Sequence, residues 1–244
     1  GMSGLMAMTG EGPGRPPCKI GAPVTDITAG ILAAMGVLAA YTHKLKTGQG
    51  QVVDTSLFEA GITHTYWQSA IGLATGKAPE PMGSAHPLNG PYQAFQASDG
   101  WITVGAANQK NWLNLLAALE RPDLGDDPRF ADNANRMKNL KALEGVLSEI
   151  FTTRTQADWL ARLEAAGLPA GPVLDVCQMH EDPQAIARDM VPVVEHSRVG
   201  PVKTIGLPVK FSETPGKVLT GAPTFGEHTR DILSEHGLAS QADA

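Results

Sequence analysis

Between Thr28 and Gly48 the chain reads TAGILAAMGVLAAYTHKLKTG, without proline, rich in Ala and Leu, and closed by Lys44, Lys46 and Gly48. Cations followed by glycine are the expected C-terminal chemistry of a helix. The cations meet unpaired carbonyls, and the glycine takes the left-handed turn. As far as Tyr41 this helix is apolar on nearly every side, so several of its faces must be covered. That demand excludes a simple pair of helices and asks for layers. The next residues say which kind. Gln51–Asp54 reads as a short strand, and a second helix is expected from Ser56, where Ser56 and Glu59 have the spacing of a capping box. Helix, strand and helix joined by tight glycine turns belong to an α/β layer.

Residues 76–91, GKAPEPMGSAHPLNGP, are rich in Pro and Gly and read as a linker or mobile loop. The texture then changes. YQAFQASDGWITVGA is two alternating segments joined at Ser98-Asp99-Gly100, a hairpin signal. Helices are expected over 108–120, 134–152 and 155–166, the last opening on Thr155 and Asp158 at capping-box spacing. Trp101, Trp112 and Trp159 fall on apolar faces and are expected in a core. GLPAGPVLDV returns to extended chain, and DPQAIARDM is a short helix. Residues 191–212 read as two strands around Val199-Gly200-Pro201, and GEHTRDILSEHGL closes as an amphipathic helix ending at Gly237. The expected organisation is an α/β portion over 1–77, a small α+β domain over 78–195, and a return segment with a closing helix over 196–244. A length of 244 residues accommodates this at ~100–200 residues per domain.

A net charge of −6 with no basic block argues against a general nucleic-acid-binding surface. Cys18 and Cys177 lie far apart and outside any metal-type spacing, and the seven histidines show no ligand pattern, so no metal site is expected. No charged leader precedes an apolar stretch, and no unbroken apolar run reaches ~18 residues. Neither a signal peptide nor a membrane span is therefore expected, which leaves a cytoplasmic location by elimination.

Asp26, in PVTDITAG, stands just before the expected first helix. Aspartate is a favoured N-cap, worth ~0.5–2 kcal/mol against Ala. A carboxylate there also faces unpaired N–H groups and the positive end of the helix dipole, a setting that suits a nucleophile whose product oxyanion needs donors. The residues alone leave both roles open. His86 lies beside Pro87 in a loop, either as a solvated surface group or near a cleft, while His64 reads as structural. Gly48 and Gly50 lack the order of a phosphate loop and read as a turn between helix and strand.

Seven strings, in order, carry a resemblance: PVTDITAG, TGQGQVVDTSLFEA, HPLNGPYQAFQASDGWITV, DPRFADNANR, AGLPAGPV, DPQAIARDM and FGEHTRDIL. Together, across residues 2–238, they resemble the family III CoA-transferases of the CaiB/BaiF type, which include formyl-CoA and carnitine CoA-transferases and alpha-methylacyl-CoA racemase. Members are longer. The resemblance places this chain as their carboxyl-terminal part, with the first half of a Rossmann-like large domain and most CoA-binding residues lying before Gly1. It implies an α/β fold made of part of that large domain plus a small α+β domain, in an intertwined homodimer. Acyl-CoA and a carboxylic acid would be the substrates, with no tightly bound cofactor.

Residue by residue, the resemblance makes Asp26 the nucleophile and puts Leu57 near the thiol end of CoA. The family's glycine-rich closing loop falls on MGSAHPLNGPY, so Gly83, His86 and Gly90 become candidate CoA-binding residues, although no run of four glycines is present. Arg129 and Arg136 either contact CoA phosphates or pair with nearby Asp residues, local pairing being the expectation. The racemase branch carries a glutamate shortly after the strand that here reads ITVGAANQ, where this chain has Asn108. An amide cannot serve as an acid or base, which favours transfer over racemisation. A third possibility is a fragment that keeps the small domain and acts as an interaction module.

Overall fold

The computed structural model of the chain describes residues 1–238. It divides into two compact units, Gly1–Val173 and Leu174 onward. These units do not follow the three-part division expected from composition. The stretch around residue 77 is no break, because Gly83 N–H donates to the Gly10 carbonyl at 2.7 Å and joins the loop to the front of the chain. Residue 196 falls inside a paired hairpin, where His196 faces Gly200.

The first unit opens with a loop and then α1 (Val24–Thr47), α2 (Leu57–Thr63) and α3 (Tyr66–Thr75). Helix α1 ends as expected, with Gly48 at φ 77° and its N–H on the Lys44 carbonyl. It begins earlier than expected, at Val24 after Pro23, so Asp26 lies inside the first turn and caps nothing. Ser56 does cap α2, accepting from the Glu59 N–H at 3.2 Å. The Glu59 carboxylate accepts from the Ser56 hydroxyl instead of its N–H, so only half of the capping box forms.

Gln51–Asp54 is not a strand, since among the described residues no neighbour pairs with it. It packs on α1, where Gly36 leaves room: a Cβ there would lie 2.6 Å from a Val53 methyl. No residue of α1 is buried. By length and composition α1 would also suffice to cross a bilayer. A count of unbroken apolar residues missed this because Gly and Thr interrupt the run. The core helix of a layered protein has the same composition.

The rest of the first unit is built on a three-stranded antiparallel sheet, β1 (Tyr92–Gln96), β2 (Trp101–Gly105) and β3 (Ala170–Pro172), in the order β1-β2-β3. Helices α4 (Gln109–Ala118), α5 (Asn133–Lys138), α6 (Leu140–Phe151) and α7 (Gln156–Ala165) complete it. The alternation of β2 turns Ile102 and Val104 inward, onto Trp112, Leu115, Leu143, Leu147, Phe151, Trp159 and Leu163. Phe95 and Trp159 both contact the Phe151 ring, at centroid distances of 4.8 and 5.1 Å. Trp101 departs from expectation: the same alternation turns it outward, 49% exposed. The helix expected over 134–152 is two helices, broken at Asn139 (φ −111°, ψ 27°), whose side-chain N–H group donates to the Asn135 carbonyl.

The second unit contains α8 (Val176–Glu181), which the sequence reading lacked, then α9 (Pro183–Ala187), the hairpin β4 (Val193–His196) and β5 (Gly200–Lys203), and α10 (Thr229–Glu235). Asp175 and Gln178 close a full capping box on α8. Both cysteines are free and exposed.

Candidate active site

Asp26 is an exposed residue in the first turn of the 24-residue helix α1. Its carboxylate accepts from the Thr25 hydroxyl at 3.2 Å. Val24 N–H is engaged by the Ala22 carbonyl and Ile27 N–H by the Pro23 carbonyl. The N–H groups of Thr25 and Asp26 have no partner among the described residues. Two free donors thus lie beside one carboxylate at the positive end of a long helix. Around them opens a cavity of about 370 Å³, bordered by Gly1, Ser3, Leu5, Met6, residues 19–25 and Asp26 itself. Gly61 of α2 lets this corner close up: a Cβ there would meet the Ser3 side chain at 2.6 Å and a Thr25 methyl at 3.3 Å.

A second group of candidates sits in the loop after α3. His86 is held on three sides. Its ring stacks on Tyr92 at 5.2 Å with an interplanar angle of 1°, and Trp67 meets it edge-on at 5.2 Å. Its Nδ1 accepts from the Leu88 N–H at 3.1 Å, which leaves the proton of the neutral ring on Nε2. The end of the loop is tied to α5. Asn133 accepts from the Gly90 N–H at 3.1 Å and donates to the Leu88 carbonyl at 2.9 Å, while Arg136 Nε donates to the Gly90 carbonyl at 2.7 Å.

Arg136 is fully buried, with its guanidinium 5.0 Å from the Trp112 ring and further bonds to Gln109 and the Phe130 carbonyl. Burial pulls its pKa down, opposed by the charge of Asp132. The expected pairing with a nearby Asp fails for Arg136, because an inward-facing guanidinium reaches carbonyls that the loop supplies. It holds for Arg129, which pairs with Asp127 at 2.7 Å and keeps that carboxyl below its ordinary range.

The profile of CoA-transferase family III matches residues 1–229. The chain belongs to this family. An acyl-CoA transferase of Fusarium pseudograminearum is 35% identical over 244 residues, covering 99% of this chain and 53% of the fungal one. A succinyl-CoA:mesaconate CoA-transferase of Haloarcula marismortui is 33% identical over 241 residues, covering 97% and 59%. A solved CaiB/BaiF family protein from Brucella suis superposes with a TM-score of 0.81 at 35% identity, over 96% of this chain and 60% of the other. This family III chain therefore spans between about half and three-fifths of the length of these relatives.

Within the family III chain the candidate residues are not gathered into one cavity. Leu57 is the first residue of α2 and is 52% exposed, Gly83 is exposed, and His86 is half-buried. Gly90 is buried, and a Cβ on it would press on Leu140 and Met137 at 3.2 and 3.3 Å, so it faces α5 and α6. None of the four borders the cavity at Asp26. Asn108 caps α4, accepting from the Asn111 N–H at 2.8 Å, and His64 bonds Thr28 at 2.7 Å. Sequence reasoning passed over Lys19, Gly61 and Asn133. Gly61 left a signal, a glycine inside an expected helix, whereas Lys19 and Asn133 acquire meaning only through what folds against them.

Proposed function

We propose that this family III chain serves acyl-CoA transfer between carboxylic acids, with Asp26 as the nucleophile. A carboxylate oxygen of Asp26 attacks the thioester carbon, the C–S bond breaks, and CoA leaves as thiolate, giving a mixed anhydride. The thiolate attacks the aspartyl carbonyl carbon, the donor acid leaves as carboxylate, and an aspartyl-CoA thioester remains. The acceptor carboxylate attacks that thioester and again releases thiolate, which takes the acceptor's acyl carbon and frees Asp26. Charge and protons balance without an added acid or base, and covalent catalysis divides one hard exchange into easier ones.

The observation that carries this reading is the placement of the Asp26 carboxylate beside the unpaired N–H groups of Thr25 and Asp26, at the rim of a cavity. Donors of that kind are worth ~2.7–4 kcal/mol each to an oxyanion. CoA enters as substrate. Racemisation has no support at Asn108, whose side chain is engaged as a cap. The relatives' names also speak of transfer. The Asp26→Asn protein should lose all CoA exchange between acids while its stability changes by less than about 1 kcal/mol, the size of a helix-dipole contribution. Turnover retained by that variant rules out the covalent role.

One observation favours a second reading, an interaction module: α1 has no buried residue although it is apolar. Acyl-CoA titration separates the two. A ligand at a hundredfold excess over its Kd stabilises by ~2.7 kcal/mol, and a melting midpoint that no acyl-CoA moves would favour the module. The intertwined homodimer is part of the first reading, and light scattering tests it.

A further inference from the structure

The cavity at Asp26 is bordered by one other residue with a charged side chain, Lys19, in the loop that leads into α1. Lys19 is exposed and takes part in no ion pair among the described residues. Besides Gly1 with its amino group, the rest of the border is backbone, hydroxyl and apolar groups: Ser3, Leu5, Met6, Ile20 and Val24 among them. An acid entering this cavity as a carboxylate meets the like charge of Asp26, which disfavours its binding unless a cation is near.

For a monocarboxylic acid that conflict ends once its only carboxylate has been converted to anhydride or thioester. A dicarboxylic acid keeps its second carboxylate, unreacted, through every step of the exchange. A cation fixed at the cavity rim is useful to such a substrate throughout, on both the donor and the acceptor side. Lysine suits the role, since its ammonium is a compact point charge on a flexible stem and can follow acids of different length.

We propose that Lys19 holds the non-reacting carboxylate of a dicarboxylic acid and so selects dicarboxylic over monocarboxylic substrates. The inference rests on the reading of Asp26 as the reacting group. It deepens that reading by naming a substrate class and the residue that chooses it. The succinyl and mesaconate groups in the name of the Haloarcula relative are both dicarboxylic, which agrees with the class but says nothing of Lys19.

The test measures binding and needs no turnover, so it can fail separately from the covalent role of Asp26. Dissociation constants of the succinyl and butyryl thioesters of N-acetylcysteamine, equal in acyl chain length and differing in one free carboxylate, are determined by calorimetry or ligand-observed NMR at low ionic strength for the purified protein and for Lys19→Ala and Lys19→Arg. The expected result is a preference for the succinyl thioester of roughly tenfold, the scale of one charge-assisted hydrogen bond. It should be lost in Lys19→Ala and kept in Lys19→Arg, with binding of the butyryl thioester, which has no carboxylate, unchanged throughout. Equal binding of the two thioesters by the unaltered protein, no binding of the succinyl thioester, or a preference that survives Lys19→Ala would each overturn the proposal. Since Lys19 is an exposed loop residue, the melting midpoint of Lys19→Ala serves as the control for folding.

Discussion

Helices α1 and α6 are both rich in apolar residues, yet they end in opposite environments. On α6, Leu143, Leu147 and Phe151 are completely buried against a sheet and two further helices. On α1, Ile31, Met35, Leu38 and Leu45 are all more than half exposed. The difference lies in the partners and not in the helices. The sheet-centred core of residues 95–168 finds every surface it needs within about seventy residues of chain, through a hairpin, short connections and a returning strand. Helix α1 has Val53, Gly61 and His64 of the following segment against it, and these leave all of its residues short of burial. Apolar character makes a helix demand cover, and only topology decides whether cover arrives.

This contrast can be attacked in order of expected effect. Phe151→Ala removes a ring that touches both Phe95 and Trp159, and should cost about 3–5 kcal/mol in chemical denaturation. A cost under 1 kcal/mol would mean that the core is less well packed than its burial implies. Asn133→Ala frees two loop hydrogen bonds and strands the buried Gly90 N–H, a loss of about 1–3 kcal/mol. Hydrogen exchange at the Gly90 amide should accelerate with it, and an unchanged rate would deny that α5 clamps the loop around His86. Leu38→Lys on α1 should change stability by no more than about 0.5 kcal/mol, as exposed substitutions do. A much larger loss would show that something covers α1 in solution, and would erase the contrast.

The smallest effect concerns acid. Glu227 is held down to about 2 from an ordinary 4.5, first by the Thr224 N–H on its carboxylate at 2.6 Å, then by Ser197. A depressed carboxyl stabilises the fold fully above about 4.5, and that contribution disappears as pH falls through about 2. Glu227→Gln should therefore flatten the acid limb of a stability–pH profile in that window, while leaving the profile above it parallel to the original.

Much of the fold was legible because local chemistry repeats itself. Thr155 and Ser56 cap where their spacing said they would, and the alternation of 92–105 became the hairpin β1–β2. The failures have physical reasons. Gln51–Asp54 has strand composition, but a strand exists only in the presence of a neighbour. Trp101 is expected in the core as part of an apolar face, whereas its position in the alternation of β2 turns it outward. Asn139 broke a helix whose apolar period ran straight through it. Of the candidate site, Asp26 was visible from its ordered strings, but its place inside the first turn was not, since Pro23 starts the helix earlier than the Ala-rich run suggests.

What the sequence determined by itself was therefore local and familial: where helices stop, where the hairpin turns, and which family the chain belongs to. Periodicity, caps and ordered motifs are written in neighbouring residues, so they survive reading in one dimension. Only tertiary structure decided that Arg136 would be buried on Gly90, that Lys19 would share a cavity with Asp26, and that α1 would remain bare. Each of these depends on distant segments meeting. The free energy of such meetings comes from surfaces and charges that no single segment contains.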